Sequence, residues 1–300
     1  MATTHIERIE LGELTCWRVR RNGAELLVSQ QGAQLLSYQL DGEPPLIWLS
    51  EDAAYTPGQS VRGGAPICWP WFGDLRRNPL AVQTHFQSDT APSHGLVRAL
   101  DWQLLGIDED DAAVTLKFLF DSSQTPLTGW PIAAQLHFEI RLGDDLRLTL
   151  ETHNLSSEPL TISQALHSYF AVSDIHQARV EGLPDSRYID TLDDWHEHRQ
   201  DGDLHFSGET DRIYLDTPSR LSIVDPGWNR RIILDATGSR SAVLWNPWID
   251  KSERLSQFAN DAWQRMLCIE TANVLDDALV VAPGERRALL LCLSSEPIGR

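Results

Sequence analysis

Three neighbouring runs of alternating apolar and polar residues constrain the fold of this chain most. They cover residues 114–120, 132–142 and 146–153, and turn-forming residues separate them at Thr128-Gly129 and Gly143-Asp144-Asp145. Alternation with a period of two is the repeat of a strand that buries one face. Three such strands at a spacing of about ten residues predict an antiparallel meander.

Turn-forming residues also separate short strand-like runs in the rest of the chain. Near the N-terminus, short alternating runs are broken by Asn22-Gly23, Gly32 and Asp41-Gly42, which predict hairpins. Further strands are predicted over 220–224, 231–234 and 287–293, and one helix over 252–263, where four apolar residues share a side. With 300 residues, 42% of them hydrophobic, the chain can bury a large core. Because no linker interrupts it, the sequence predicts one all-β domain over residues 1–300, mostly of antiparallel sheets with few short helices.

The charge balance limits the classes of partner. The formal net charge is −18, from 25 basic and 43 acidic residues, which argues against non-specific binding to nucleic acid or anionic lipid. Lys117 and Lys251 are the only lysines, so arginine carries almost all of the positive charge. This disfavours lysine-based catalysis and favours fork-like recognition of a phosphate or a carboxylate.

The cysteines and the N-terminal residues indicate the cellular compartment of the protein. Cys16, Cys68, Cys268 and Cys292 lack CxxC or CxH spacing, which indicates reduced thiols rather than a disulfide framework or a zinc site. Residues 1–15 contain three acidic side chains and no apolar run, unlike a signal peptide or a membrane anchor. No stretch approaches the roughly 20 apolar residues of a membrane helix. We therefore expect a cytoplasmic protein with no membrane or nucleic acid partner.

Two apolar segments each carry one residue that can exchange protons. In 164–170 the alternation places His167 on the same face of an extended strand as Ala165 and Tyr169. In 266–272 an apolar run contains Glu270 as its one carboxylate, and burial would raise its pKa. Histidine titrates near neutral pH, so the two residues are a candidate acid and base. The alternative for His167 alone is a core histidine with satisfied hydrogen bonds.

Two loops and one strand carry candidate ligand-binding residues. Arg62 lies beside Gly63-Gly64, where the lack of side chains lets a ligand approach the backbone. The aromatic residues of the same loop, 60–73, suit either a sugar ring or packing of the loop itself. A turn at 92–98 supplies His94 and Arg98, and Asp211 could accept hydrogen bonds from sugar hydroxyls. The plainer alternatives are solvated loop side chains for His94 and Arg98, and an ion pair or a turn cap for Asp211.

A third histidine-containing segment is His196-Glu197-His198. Its spacing would suit metal ligands on one face of a strand, but the charged surroundings favour an exposed loop. We therefore predict no metal site there or elsewhere.

Six blocks, taken together and in order, resemble the hexose-6-phosphate mutarotases, also called glucose-6-phosphate 1-epimerases, of the galactose-mutarotase-like group. The blocks are Arg62-Gly63-Gly64-x-Pro66-x-Cys68-Trp69-Pro70-Trp71-Phe72-Gly73, Ser93-His94-Gly95-x-x-Arg98, Ala165-Leu166-His167-Ser168-Tyr169-Phe170, Glu209-x-Asp211-Arg212-x-Tyr214, Trp245-Asn246-Pro247 and Cys268-Ile269-Glu270-Thr271-Ala272. The resemblance covers residues 15–295. One departure is Leu96-Val97, where the family often has Phe-Ala.

The resemblance implies a β-supersandwich fold and a cofactor-free exchange of the α and β anomers of an aldohexose 6-phosphate, with D-glucose 6-phosphate expected. It implies His167 as the general acid and Glu270 as the general base. The implied substrate contacts are Arg62, His94, Arg98 and Asp211. The two arginines would hold the phosphate. We expect a monomer whose partner is a small sugar phosphate and which needs no metal or other cofactor.

Two rival functions stay open from the residues alone. A glycoside hydrolase or lyase on a β-sandwich would need two carboxylates flanking the scissile bond, for which Asp211 and Glu270 are the candidates. A non-catalytic sugar-phosphate binding protein would keep the same pocket without turnover. The pairing of a histidine with a glutamate and the arginines favour the mutarotase prediction.

Overall fold

The computed structural model describes residues 4–299. Within that range two short α-helices occur, Leu80–Gln83 (α1) and Trp248–Ser252 (α2), with 3-10 turns at Leu75–Arg77, Pro226–Trp228, Ala262–Arg265 and Leu275–Asp277. The first strands are β1 (Thr4–Leu11), β2 (Leu14–Arg21), β3 (Ala24–Ser29), β4 (Leu35–Leu40), β5 (Ile67–Cys68), β6 (Gln103–Glu109), β7 (Val114–Asp121), β8 (Ala134–Leu142) and β9 (Leu146–Asn154). The middle strands are β10 (Leu160–Ile162), β11 (Gln164–Leu166), β12 (Tyr169–Ala171), β13 (Arg179–Glu181), β14 (Arg187–Asp190), β15 (His196–Arg199) and β16 (Leu204–His205). The last are β17 (Thr210–Leu215), β18 (Arg220–Asp225), β19 (Arg230–Thr237), β20 (Ser241–Asn246), β21 (Met266–Asn273), β22 (Leu279–Val281) and β23 (Arg286–Pro297).

The strands form two large sheets and two small ones. The nine-stranded sheet has the order β16-β13-β18-β19-β23-β9-β8-β7-β6. The eight-stranded sheet has the order β15-β14-β17-β20-β21-β11-β5, with β12 also paired to β21. Strands β1 to β4 form a meander of their own, and β10 pairs with β22. Both large sheets contribute to one hydrophobic cluster, so they pack as the two layers of a sandwich.

The predicted meander is the centre of the nine-stranded sheet. Burial alternates along β7, β8 and β9, as the alternating sequence predicts. Phe118 pairs with Phe138, which pairs with Leu150, and all three are buried in the row that faces the other layer. Full burial of each such side chain stabilises the fold by about 1.5–3 kcal/mol. The all-β prediction is confirmed.

The hairpin at Asn22-Gly23 is also confirmed. It joins β2 to β3 with Arg21 paired to Ala24, and both turn residues have positive φ, 49° and 76°. A two-residue turn of this type requires that conformation, which asparagine and glycine adopt at little cost.

The predicted helix over 252–263 is wrong. The α-helix there ends at Ser252, and Gln257 has a φ of 57°, which a right-handed helix excludes. The carbonyl of Ser256 accepts from Arg62, and that of Gln257 accepts from Ser50. Contacts with the distant 50–62 segment therefore replace the helical hydrogen bonds that the local pattern predicts. Of the helices formed by residues 4–299, none has the length and hydropathy to cross a membrane.

Candidate active site

A cavity of about 670 Å³ lies over the face of the eight-stranded sheet that carries Ile213, Val243 and Glu270. Loops at 59–62, 72–78 and 93–98 form its sides. All six predicted site residues line it: Arg62, His94, Arg98, His167, Asp211 and Glu270. Segments that are far apart in the sequence therefore converge on one pocket.

The register of three strands explains how the candidate acid meets the candidate base. Leu166 of β11 pairs with Thr271 of β21, and Tyr169 of β12 pairs with Cys268 of the same strand. Both ladders share one register, so continuing it across the gap sets His167 directly opposite Glu270. The two residues are cross-strand neighbours on one face of the sheet.

The prediction of one continuous strand over 164–170 is wrong at its centre. The His167 N–H donates to the carbonyl of Pro66 at 3.0 Å, and the Ser168 N–H donates to that of Leu166 at 2.9 Å. The His167–Pro66 bond continues the register of β11 with β5, so it is the local bond from Ser168 to Leu166 that takes Ser168 out of the ladder with β21. The predicted shared face of His167 and Tyr169 is present, because their rings stack at 4.9 Å with an interplanar angle of 10°.

The two side chains touch. His167 Nε2 lies 3.3 Å from Glu270 Oε1, and the side chains are 9% and 2% exposed. Among the described residues, His167 Nδ1 and Glu270 Oε2 have no hydrogen-bond partner. Buried polar atoms without partners are costly and rare. Both atoms are shielded from solvent, so a ligand would not contact them in this conformation.

Burial controls the charge of this pair. It lowers the pKa of His167 well below its usual 6.5, and the nearby His94 and the two pocket arginines lower it further. Burial also raises the pKa of Glu270 well above 4.5, with a smaller contribution from the charge of Asp211. Both shifts favour, when no ligand is bound, the form with a neutral imidazole beside a carboxylic acid. It holds as many protons as an imidazolium beside a carboxylate, and one proton transfer across the contact converts the first form into the second.

His94 is held in a strained loop conformation, with a φ of 64°. Gly73 N–H donates to its Nδ1 at 3.4 Å, and the Cys68 Sγ lies 3.4 Å from the same nitrogen. Burial and the two arginines lower the pKa of His94 to about 3. The ring is therefore neutral, with Nδ1 as the acceptor and Nε2–H as a donor. Gly95 follows at φ 79°, where an added Cβ would lie 2.1 Å from the carbonyl oxygen of Trp69.

The two predicted arginines differ in how they are held. Arg62 donates from Nη1 to the Tyr169 hydroxyl and from Nε to the Ser256 carbonyl, both at 3.3 Å. The guanidinium of Arg98 makes no hydrogen bond or ion pair with any residue from 4 to 299. Both lie close enough to His167 to lower its pKa. Arg98 lines the pocket with all of its donors free for a ligand, and Arg62 has part of its donors free.

Two further pocket cations were missed by the sequence analysis. Lys251 of α2 lies 3.0 Å from Glu209 Oε1 and 3.6 Å from Asp211 Oδ2, measured from Nζ. Arg77 lies 4.8 Å above the ring of Trp195 at another part of the wall. The rarity of lysine in the chain, and the position of Lys251 just after the Trp-Asn-Pro block, was the signal available for it.

One cluster in the pocket has the donor types of a metal site. A nitrogen of His167, the Sγ of Cys268 and an oxygen of Glu270 lie within 4.8 Å of one another, and zinc binds all three kinds of atom. The guanidinium groups of Arg62 and Arg98 lie beside the same pair, and their charge opposes a cation there. The arrangement therefore suits an anionic ligand better than a metal ion.

The other histidine segment lies on the edge strand β15, away from the pocket. Both His196 and His198 pair with Asp193, at 3.7 and 2.8 Å, and all three side chains are largely exposed. The predicted exposure is therefore present, but the predicted loop is wrong, because His196–Arg199 pair with β14 as a strand.

Comparison with known proteins places the chain among sugar epimerases. It matches the family described as "Aldose 1-epimerase" over residues 15–291. Two relatives carry the name "Putative glucose-6-phosphate 1-epimerase". The one from Salmonella typhimurium is 34% identical over 90% of this chain and 86% of its own length. The one from Escherichia coli K12 is 33% identical over 89% of this chain and 86% of its own length.

Solved structures agree with this placement. A "putative mutarotase" from Salmonella typhimurium superposes with a TM-score of 0.86 at 30% identity, covering 97% of this chain and 94% of that one. A galactose mutarotase-like protein from Clostridium acetobutylicum has a TM-score of 0.69 at 16% identity, with 98% of both chains covered, and so shares the fold. The predicted galactose mutarotase-like β-supersandwich is confirmed. From the family match over most of its length and the identity to two close relatives, this chain belongs to the aldose 1-epimerase family.

Proposed function

We propose that this chain interconverts the α and β anomers of a hexose 6-phosphate, with D-glucose 6-phosphate as its substrate. The observation that carries the proposal is the 3.3 Å contact between His167 Nε2 and Glu270 Oε1, in a pocket that also holds Arg62 and Arg98. The names of the Salmonella and Escherichia relatives support the choice of substrate.

Anomer exchange needs an acid and a base that are close together. Ring opening removes the proton from O1 and delivers one to the ring oxygen O5, after which C1–C2 rotates and reclosure reverses both transfers. O1 and O5 are bonded to the same carbon, so the groups that serve them must be neighbours. His167 donates to O5, and Glu270 accepts the proton of O1.

The arginines fix the orientation of the sugar. In a hexopyranose, C5 carries both O5 and C6, so a 6-phosphate lies beside the group that protonates O5. Arg62 and Arg98 lie within electrostatic reach of His167, which suits a phosphate at that position. Each charge-assisted contact is worth roughly 1.5–3 kcal/mol. Because the net charge of −18 repels anions at long range, Arg62 and Arg98 must supply the local attraction that binds the phosphate.

A bound phosphate would also change the proton balance of the pair. The positive charges of Arg62 and Arg98 lower the pKa of His167, and a phosphate dianion on them offsets that effect. The pKa of His167 then rises, which favours transfer of the proton from Glu270 to His167. Substrate binding thus favours the imidazolium and carboxylate that the reaction needs.

Two other residues complete the proposed contacts. Neutral His94 donates to the substrate through Nε2–H, and Asp211 accepts from ring hydroxyls. The proposal also includes a monomeric enzyme of the cytoplasm that uses no metal or other cofactor. The thiols of Cys16, Cys68 and Cys268, free and buried, support a reducing compartment.

Magnetisation-exchange NMR on the anomers of glucose 6-phosphate tests the proposal. We expect the wild-type protein to accelerate exchange above the spontaneous rate, and His167→Ala and Glu270→Gln to lose about 10²- to 10⁴-fold of kcat. Arg220→Ala is the control, because Arg220 is 65% exposed and pairs with Asp235 in the other sheet. Release of reducing sugar from glycosides without anomer exchange would identify a hydrolase instead. Tight binding of the phosphosugar without exchange would identify a binding protein.

A further inference from the structure

One end of the pocket contains a lysine that lies close to two carboxylates and a tryptophan ring. Lys251 is 31% exposed, and its Nζ donates to Glu209 Oε1 at 3.0 Å. The 3.6 Å separation from Asp211 Oδ2 is an ion pair longer than a hydrogen bond. The ammonium also lies 5.8 Å from the ring centroid of Trp245. Since an ammonium has three donors, at least one N–H is left for a ligand in the pocket.

The cluster around Lys251 contains the charged groups that face Asp211. Asp211 lies in β17 and Glu209 directly precedes that strand. Lys251 comes from α2, and Glu270 lies in β21 on the same face of the sheet as Asp211. Burial raises the pKa of Asp211, Lys251 opposes that rise, and the charge of Glu209 adds to it. Lys251 is the one cation in this group, and together with a hydrogen bond from Thr191 it favours an ionised Asp211.

The geometry of the sugar indicates what this end of the pocket would contact. A 6-phosphate on the arginines and O5 at His167 place C5 and C6 at one end. O1 at Glu270 then directs C2 and C3 away from the phosphate. Asp211 acts electrostatically on Glu270 and so lies on the O1 side. The hydroxyls on C2 and C3 are therefore the ones within reach of Asp211 and Lys251.

We propose that Lys251 is a positioning residue that holds the Asp211 carboxylate ionised and aimed at the C2 and C3 hydroxyls, while a remaining N–H of its ammonium donates to one of them. The inference rests on the proposed function, because the orientation of the sugar comes from His167 and Glu270. It predicts that selectivity at C2 depends on Lys251 and that selectivity at C4 does not. A purely structural lysine, which only fastens α2 to Glu209, would affect all substrates alike.

Three variants separate these roles. Lys251→Met removes the charge and keeps most of the side-chain length, and Lys251→Arg restores a cation. Lys117→Met is a matched control, because Lys117, the other lysine, pairs with Asp108 at 2.7 Å on the nine-stranded sheet. The substrates are glucose 6-phosphate, 2-deoxyglucose 6-phosphate, which lacks the C2 hydroxyl, and galactose 6-phosphate, which differs at C4. Thermal unfolding of each variant shows whether it is folded.

For Lys251→Met we expect kcat/KM for glucose 6-phosphate to fall about 10- to 150-fold, the range of one charge-assisted hydrogen bond. The preference for glucose 6-phosphate over 2-deoxyglucose 6-phosphate should be lost to a similar extent, while the ratio to galactose 6-phosphate stays constant. Lys251→Arg should recover part of both losses, and Lys117→Met should change nothing. An equal fall for all three substrates would overturn the proposal.

The pH profile gives a second readout that a structural role would not move. Without the ammonium, Asp211 takes up a proton at higher pH, so the contribution of Asp211 to the acid limb of kcat/KM, which adds to that of His167, should shift upward in Lys251→Met and return in Lys251→Arg. An unshifted limb would overturn the assignment.

Calorimetric titration with glucose 6-phosphate and its 2-deoxy analogue separates failure of this inference from failure of the proposed function. If wild-type protein does not accelerate anomer exchange but prefers glucose 6-phosphate in binding, and Lys251→Met removes that preference, the proposed activity is wrong and the role of Lys251 stands. If exchange is fast but binding is indifferent to the C2 hydroxyl, the role of Lys251 is wrong.

Discussion

Replacing Arg98 with alanine tests the phosphate site most directly. Its guanidinium has five N–H donors and makes no hydrogen bond or ion pair with any residue from 4 to 299, so the substitution removes none from the folded protein. The loss is then that of a charge-assisted contact to the substrate, about 1.5–3 kcal/mol. At 1.36 kcal/mol for each factor of ten, this is about a 10- to 150-fold rise in KM.

The assay is anomer exchange measured by NMR on glucose 6-phosphate and, in parallel, on glucose. For Arg98→Ala we expect the rise in KM for the phosphosugar, an almost unchanged kcat, and no change for glucose, which carries no phosphate. Arg220→Ala controls for loss of an arginine elsewhere. If KM for both sugars rises equally, or if neither changes, the phosphate is not bound by Arg98 and the reasoning fails.

Arg62→Ala is expected to behave differently from Arg98→Ala. Arg62 donates to the hydroxyl of Tyr169, and the ring of Tyr169 stacks on His167. Loss of Arg62 should therefore lower kcat for glucose as well as raise KM for the phosphosugar. Identical kinetic changes in the two arginine variants would contradict this distinction.

Three further results are expected. The kcat/KM for glucose 6-phosphate should be level between the lowered pKa of His167 and the raised pKa of Glu270, where the pair holds one shared proton, and should fall on either side of that range; a single limb centred near the ordinary histidine pKa of about 6.5 would refute the pair. Glu270→Gln should raise the thermal unfolding midpoint more at pH 8 than at pH 5. Above the usual 4.5, the folded wild type keeps a proton on Glu270 that the unfolded chain releases, so its unfolding free energy falls as pH rises; a pH-independent gain in calorimetry would contradict this. Gly95→Ala should cost more unfolding free energy than Gly42→Ala, since an added Cβ meets a carbonyl oxygen at 2.1 Å in the first and nothing within 4 Å in the second, at similar φ. Urea denaturation should give about 1–2 kcal/mol for Gly42→Ala from its backbone conformation alone, and equal losses would show that the close contact is unimportant.

Local sequence was sufficient where the structure depends on local chemistry. Alternation in 114–153 predicted the meander because one face of each strand is buried and the other is not. Asn22-Gly23 predicted a hairpin because few other residues adopt positive φ at both positions. The motif blocks predicted six site residues, all of which line the pocket, since the order of the blocks in the chain resembles that of a known family.

The local pattern failed where distant segments compete for the same backbone. The apolar positions of 252–263 favour a helix, but Arg62 and Ser50 take the carbonyls of Ser256 and Gln257, and the chain turns through a left-handed residue instead. A hydrogen-bond partner from another part of the chain has no trace in the local residue pattern.

The sequence by itself determined that this chain folds as layered antiparallel sheets, that almost all of its cations are arginines, and that His167 and Glu270 are its candidate acid and base. Only the tertiary structure decided that these two face each other, because the shared register of β11 and β12 on β21 is set by packing between segments about a hundred residues apart. The protonation of the pair was likewise decided there. Burial lowers the pKa of His167 and raises that of Glu270, and desolvation exists only once the sheets and loops have closed around both groups.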